Sequence, residues 1–69
     1  MRDIVIFGCG GFGREILQII LDQNTENKRW RMRGFLVSPE FQAPDFVQGF
    51  PVASDIHHFG APADLALAI

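Results

Sequence analysis

Apolar and polar positions change period several times along this chain. Ile4-Val5-Ile6-Phe7 is an unbroken, largely β-branched run. A short continuous run, rather than an alternating one, predicts a strand buried on both faces, as in a parallel sheet. Glycines at 8, 10, 11 and 13 break it. From Arg14 to Gln23, Ile16, Ile19, Ile20 and Gln23 recur at helical spacing, and Leu17 and Leu21 widen the apolar stripe. That pattern predicts an amphipathic helix. Glu15 is expected in its first turn, where the helix dipole favours an anion. The polar stretch from Asn24 to Arg29 is expected to end the helix.

Trp30 to Val37 alternates and then ends apolar, which predicts a second strand closed by Ser38-Pro39. Residues 40–49 read as a loop, and Phe50-Pro51-Val52 as a brief edge strand. Ala53 to Phe59 suits a short helix with Ser54 as N-cap. After a turn at Gly60-Ala61-Pro62, the apolar segment from Ala63 to Ile69 completes a β-α-β-x-β rhythm as a strand. No repeat, low-complexity tract or linker interrupts the chain, so residues 1–69 form one domain. Because the sequence stops inside an apolar element, an incomplete N-terminal domain of a longer protein is expected.

Composition narrows the class. Of the 69 residues, 48% are hydrophobic and 20% charged, which places the chain with globular domains rather than disordered ones. A net charge of -2 argues against gripping nucleic acid or an anionic membrane by charge. Cys9 is the only cysteine, so neither an intrachain disulfide nor a cysteine-based metal site can form, and a reducing cytoplasm is the expected setting. The N-terminal apolar run is too short for a signal peptide, and no run approaches the roughly 20 residues of a membrane span. A soluble protein is expected.

The chemistry concentrates in Gly8-Cys9-Gly10-Gly11-Phe12-Gly13. Gly8, Gly10 and Gly13 give G-x-G-x-x-G between a predicted strand and a predicted helix, the context in which that motif binds nucleotides. The first glycine permits a tight turn, the second admits a phosphate to the backbone, and the third lets helix and strand pack closely. The helix N-terminus adds unpaired N–H groups and partial positive charge. These features point to an α/β fold with a small Rossmann-like parallel sheet and flanking helices. Tight packing without a ligand is the competing reading of the glycines. A P-loop is excluded, because no Lys-Ser or Lys-Thr follows them. An NAD site would place Asp or Glu at the end of the second strand. Here that strand ends at Val37-Ser38, and the nearest acid is Glu40. NAD is disfavoured, and an NAD(P)-binding piece of an oxidoreductase remains the alternative. Arg31 and Arg33 precede the strand end and are read as solvated rather than as ligands of a 2′-phosphate.

Three motifs in order, Ile4 to Glu15, Gly34-Phe35-Leu36-Val37 and Gly49-Phe50-Pro51-Val52, carry a resemblance that spans nearly the whole chain. The sequence resembles the N-terminal domain of the bacterial sugar O- and N-acyltransferases of the NeuD and PglD type, which act on sialic acid or amino-sugars. The resemblance implies a Rossmann-like module that binds a nucleotide-sugar, followed by a left-handed β-helix of hexapeptide repeats. That second domain would form a homotrimer, bind acetyl-CoA and supply the catalytic histidine, so no catalytic residue and no cofactor are expected in this chain. It further implies that Gly8, Cys9, Gly10, Gly11, Phe12 and Gly13 form the phosphate-binding turn, and that Val37 and Ser38 face the nucleotide. The sequence departs from the family where histidine is common at Phe12 and aspartates at Val37 and Ser38. The family's final strand normally continues into Gly-Asn, beyond Ile69.

Other candidates carry less. Adjacent helical residues point about 100° apart, so His57 and His58 are not expected to share a metal. Cys9 at a helix N-terminus is a candidate for reactivity, but a small residue filling a tight turn is the preferred reading. Phe35, Phe41, Phe46, Phe50 and Phe59 exceed the needs of a small core, and those in the 40–50 loop suit a partner surface.

Overall fold

A computed structural model describes residues 2–68. Strand β1 (Arg2–Phe7) passes through the glycine turn into helix α1 (Gly11–Glu26), which returns the chain to β2 (Trp30–Leu36). The short strands β3 (Phe46–Val47) and β4 (Phe50–Ala53) follow. Two single 3-10 turns, Ile56–His58 and Pro62–Asp64, then lead to β5 (Leu65–Ala68). The sheet order is β3-β4-β2-β1-β5. Strands β1, β2, β4 and β5 run parallel, and β3 is antiparallel to β4. The molecule is a small α/β domain with a mixed five-stranded sheet. The expected flanking helices reduce to one α-helix among the described residues.

The continuous apolar run of β1 is explained by its position between two neighbouring strands and by burial on both faces, with Ile4 and Ile6 on the helix side and Val5 on the other. Ile4, Val5 and Ile6 are all buried. Phe35 of β2 is fully buried beside them, and Val37 and Phe59 join the core. In the helix, the buried face is Gly13, Leu17 and Ile20. The stripe is therefore rotated from the expected one, since Ile19 and Gln23 are exposed.

The helix is longer at both ends than its apolar spacing indicated. It starts at Gly11 because Gly10 serves as N-cap in an extended conformation. Glu15 consequently lies beyond the first turn, which contains no acid. At the other end the polar residues stay helical to Glu26, because Asn24 is used structurally. Its side-chain amide donates to the Trp30 carbonyl at 2.8 Å, and its Oδ1 accepts the N–H groups of Arg29 and Trp30, each at 3.1 Å. One half-buried side chain thereby fixes the entry into β2.

The 40–49 loop contains a strand that its sequence hid. Gln48 and Gly49 have φ of 54° and 83°. Positive φ at both central residues is the signature of a two-residue hairpin turn whose twist matches its strands. The turn folds β3 onto β4, with Val47 opposite Phe50. β4 is therefore interior, and β3 forms the edge. Pro51 is tolerated because pairing of β4 with β2 begins at Val52. The helix expected over 53–59 is only the 3-10 turn, with Asp55 rather than Ser54 as its cap. Extended backbone at Asp55 and a positive φ at Gly60 leave too few residues between them for α-helical turns. The expected final strand holds for Leu65–Ala68, with Ala63 and Asp64 in the preceding 3-10 turn; Ile69 lies outside the described residues.

Candidate functional site

The parallel β1-α1-β2 unit places the end of β1, the start of the helix and the end of β2 together. Gly8 leaves β1 with φ of 94°, a conformation that strains residues bearing a Cβ. Its N–H donates to the Leu36 carbonyl at 2.8 Å and extends the β1–β2 ladder. Cys9 then turns inward and joins the core as a buried free thiol. The Gly10 carbonyl accepts the Arg14 N–H at 3.0 Å, the first bond of the helix. The N–H groups of Gly11, Phe12 and Gly13 thus lie in the first turn, where an α-helix has no internal acceptors for them. No side chain caps them.

The glycines of this turn differ in what surrounds them. A Cβ added at Gly10 or Gly11 would meet nothing within 4 Å. A Cβ at Gly13 would overlap the carbonyl oxygen of Gly8. Gly13 is therefore required for contact between helix and turn, whereas Gly10 and Gly11 border open space.

Gly10 opens onto a cleft of about 310 Å³. Gly8, Cys9 and Gly10 form one wall, Val37 and Ser38 another, and Phe7 and Phe41 complete it. Of the residues singled out from sequence, these walls bring together Gly8, Cys9, Gly10, Val37 and Ser38. Gly11 and Phe12 are exposed at the helix start outside the lining, and Gly13 is buried. Phe7 and Phe41 escaped sequence reasoning as site residues. The signal for Phe41 was Pro39, which suits the second position of a tight turn. The Phe41 N–H donates to the Ser38 carbonyl at 2.9 Å, closing that turn.

Among the described residues, no carboxylate, ammonium or guanidinium lines this cleft. Its field comes from the helix N-terminus, equivalent to roughly half a positive charge. Arg31 and Arg33 lie at the opposite end of the strands, where both approach Asp3, at 3.5 and 3.3 Å. Arg31 is largely exposed and Arg33 partly so.

A second cleft of about 440 Å³ adjoins the first across Val37 and Phe41 and carries Asp45, Ser54, Asp55 and His58. The His57 backbone N–H, and then its imidazole, hold the Asp55 carboxyl below the usual carboxylate range. The ring nitrogen Nδ1 of His57 lies 3.1 Å from that carboxylate. His58 instead packs edge-on against Phe59, with centroids 5.2 Å apart. The two imidazoles are thus engaged separately, and no group of side chains suited to a metal ion occurs among the described residues. Nor is any helix among them long and apolar enough to cross a membrane.

Fold and turn together define a small α/β domain with a glycine-lined cleft at the end of its first strand. Over residues 3–69 the sequence matches the family described as the PglD N-terminal domain. The chain belongs to that family, the N-terminal domains of PglD/NeuD-type acyltransferases. Comparison with curated proteins and with solved structures yields no match.

Proposed function

We propose that this domain binds the phosphates of a nucleotide-sugar at the Gly8–Gly13 turn, as the Rossmann-like substrate-binding module of an acetyl-CoA-dependent sugar acyltransferase. The observation that carries the reading is the contrast among its glycines. Gly13 is needed for packing, but Gly10 and Gly11 border open space at the start of a 16-residue helix. Packing alone leaves those two glycines unexplained, whereas an approaching phosphate requires the missing Cβ. The ligand's charge meets the first-turn amides and the helix dipole.

Membership of the family supports an acyltransferase as the parent protein. By the same reading, acetyl-CoA, the catalytic histidine and homotrimer formation belong to a hexapeptide-repeat domain of that parent, and the reaction is cytoplasmic. The cleft does not favour the oxidoreductase alternative, because among the described residues no carboxylate lines it to hold a ribose diol.

An NMR titration tests the proposal. UDP-N-acetylglucosamine should shift the amide signals of Gly10 to Gly13 progressively and saturably. Gly8 should respond less, because its N–H is already bonded to Leu36. A response of these amides to NAD, with none to uridine nucleotides, would overturn the proposal.

A further inference from the structure

The wall of the cleft opposite the glycines is apolar, and an aromatic ring stands on it. Phe41 is 55% exposed, although burying a phenylalanine is ordinarily favourable. It is no loose loop residue. The Ser38–Phe41 turn, with Pro39 inside it, is closed by a 2.9 Å backbone bond and springs directly from the end of β2. The same end of β2 bonds to its neighbours through Val37, whose N–H donates to the Ala53 carbonyl at 2.9 Å. The ring is thus positioned beside the cleft before any ligand arrives. An exposed aromatic face carried on a closed turn is suited to stacking a flat heterocycle, a contact that tolerates different bases because every base has a π-face.

The chemistry missing from that wall is equally informative. A ribose is read by a carboxylate at the end of the second strand, which accepts its hydroxyls. Val37 and Ser38 occupy that place here, and Ser38 provides the only hydroxyl among the described residues of the lining. The carboxylates of Asp45 and Asp55 belong to the adjoining cleft beyond Phe41.

We infer that Phe41 is the specificity-determining residue of this site, and that it selects the ligand by its base ring while leaving the ribose 2′-hydroxyl unread. Resting on the phosphate-binding reading above, this assigns the ligand class more closely. Both ribonucleoside and deoxyribonucleoside diphosphate sugars fit, and the ring confers most of the discrimination against ligands that carry only phosphate.

Calorimetric titration of the chain with UDP, 2′-deoxy-UDP and inorganic pyrophosphate separates the contributions. UDP and 2′-deoxy-UDP should bind within about threefold of each other, since no carboxylate among the described lining residues is there to accept the 2′-hydroxyl. Phe41→Ala should weaken both at least fivefold, the low end of base–aromatic stacking, and leave pyrophosphate affinity unchanged. Phe41→Trp should retain nucleotide binding. Because the side chain is exposed, circular dichroism of both variants should remain native-like. A tenfold or larger preference for UDP over its 2′-deoxy analogue would overturn the inference, as would unchanged nucleotide affinity in Phe41→Ala. Neither result touches the phosphate-binding reading, provided pyrophosphate still binds. Absence of binding by all three ligands would overturn both.

Discussion

At the residue scale, Gly10 and Gly13 are spaced as one motif but answer to different forces. Gly10 has a φ of -77°, which any residue adopts, and its missing Cβ faces open space. Gly10→Ala should therefore fold normally. If a phosphate approaches there, the added methyl should cost at least about tenfold in nucleotide-sugar affinity, about 1.4 kcal/mol. Gly13→Ala should do the reverse. Its Cβ would meet backbone, which cannot rotate aside, so the helix must shift outward. A loss of roughly 1–3 kcal/mol in denaturant unfolding is expected, as for overpacked cores. Equal affinity in a folded Gly10→Ala variant would leave the open glycines without a ligand to explain them. Unchanged stability in Gly13→Ala would mean that helix and turn are not in firm contact.

At the element scale, legibility followed length and burial. β1 declared itself because Ile4, Val5 and Ile6 are buried together, and the glycine turn because strand and helix flank it. Helix ends were harder, since periodicity reports the apolar face and not the caps. Gly11 and Gly13 looked like turn residues, and Asn24 looked like a helix stop, yet all three are helical. Asn24 gives hydrogen bonds to, or takes them from, the α1–β2 connection in three places. Asn24→Ala would strip those partners from the half-buried backbone groups of Trp30 and from the exposed N–H of Arg29. It should lower unfolding stability by about 1–3 kcal/mol, with the denaturant m-value unchanged. Stability equal to the parent would show that water replaces the side chain freely. The β3–β4 hairpin stayed hidden because β3 spans only Phe46–Val47 and its turn uses Gln48, a residue seldom found with positive φ. In the site, five of the residues taken from sequence meet around one cleft. Phe41 was missed because its importance lies in a turn that carries it there, and a loop phenylalanine has no periodic signal.

At the scale of the whole molecule, the strand order places β1 between β2 and β5. Its two partnerships become available at very different times. β2 follows after one helix, so β1, α1 and β2 form a local unit, with Leu17 and Ile20 of the helix buried in one cluster with Ile4, Ile6 and Phe35 of the strands. Pairing Asp3 with Leu65 instead closes a loop of about sixty residues, at a greater entropic cost. β1 must therefore wait for the last segment of the chain before its second edge is satisfied. Folding kinetics should record that delay. Leu17→Ala is expected to slow refolding, whereas Leu65→Ala should chiefly hasten unfolding. Comparable slowing of refolding by both would show β5 already docked at the barrier. On a ribosome releasing about 5–20 residues per second, β1 spends several seconds with one side of its ladder open. The newborn chain is most exposed to chaperones and misassembly through its most deeply buried strand.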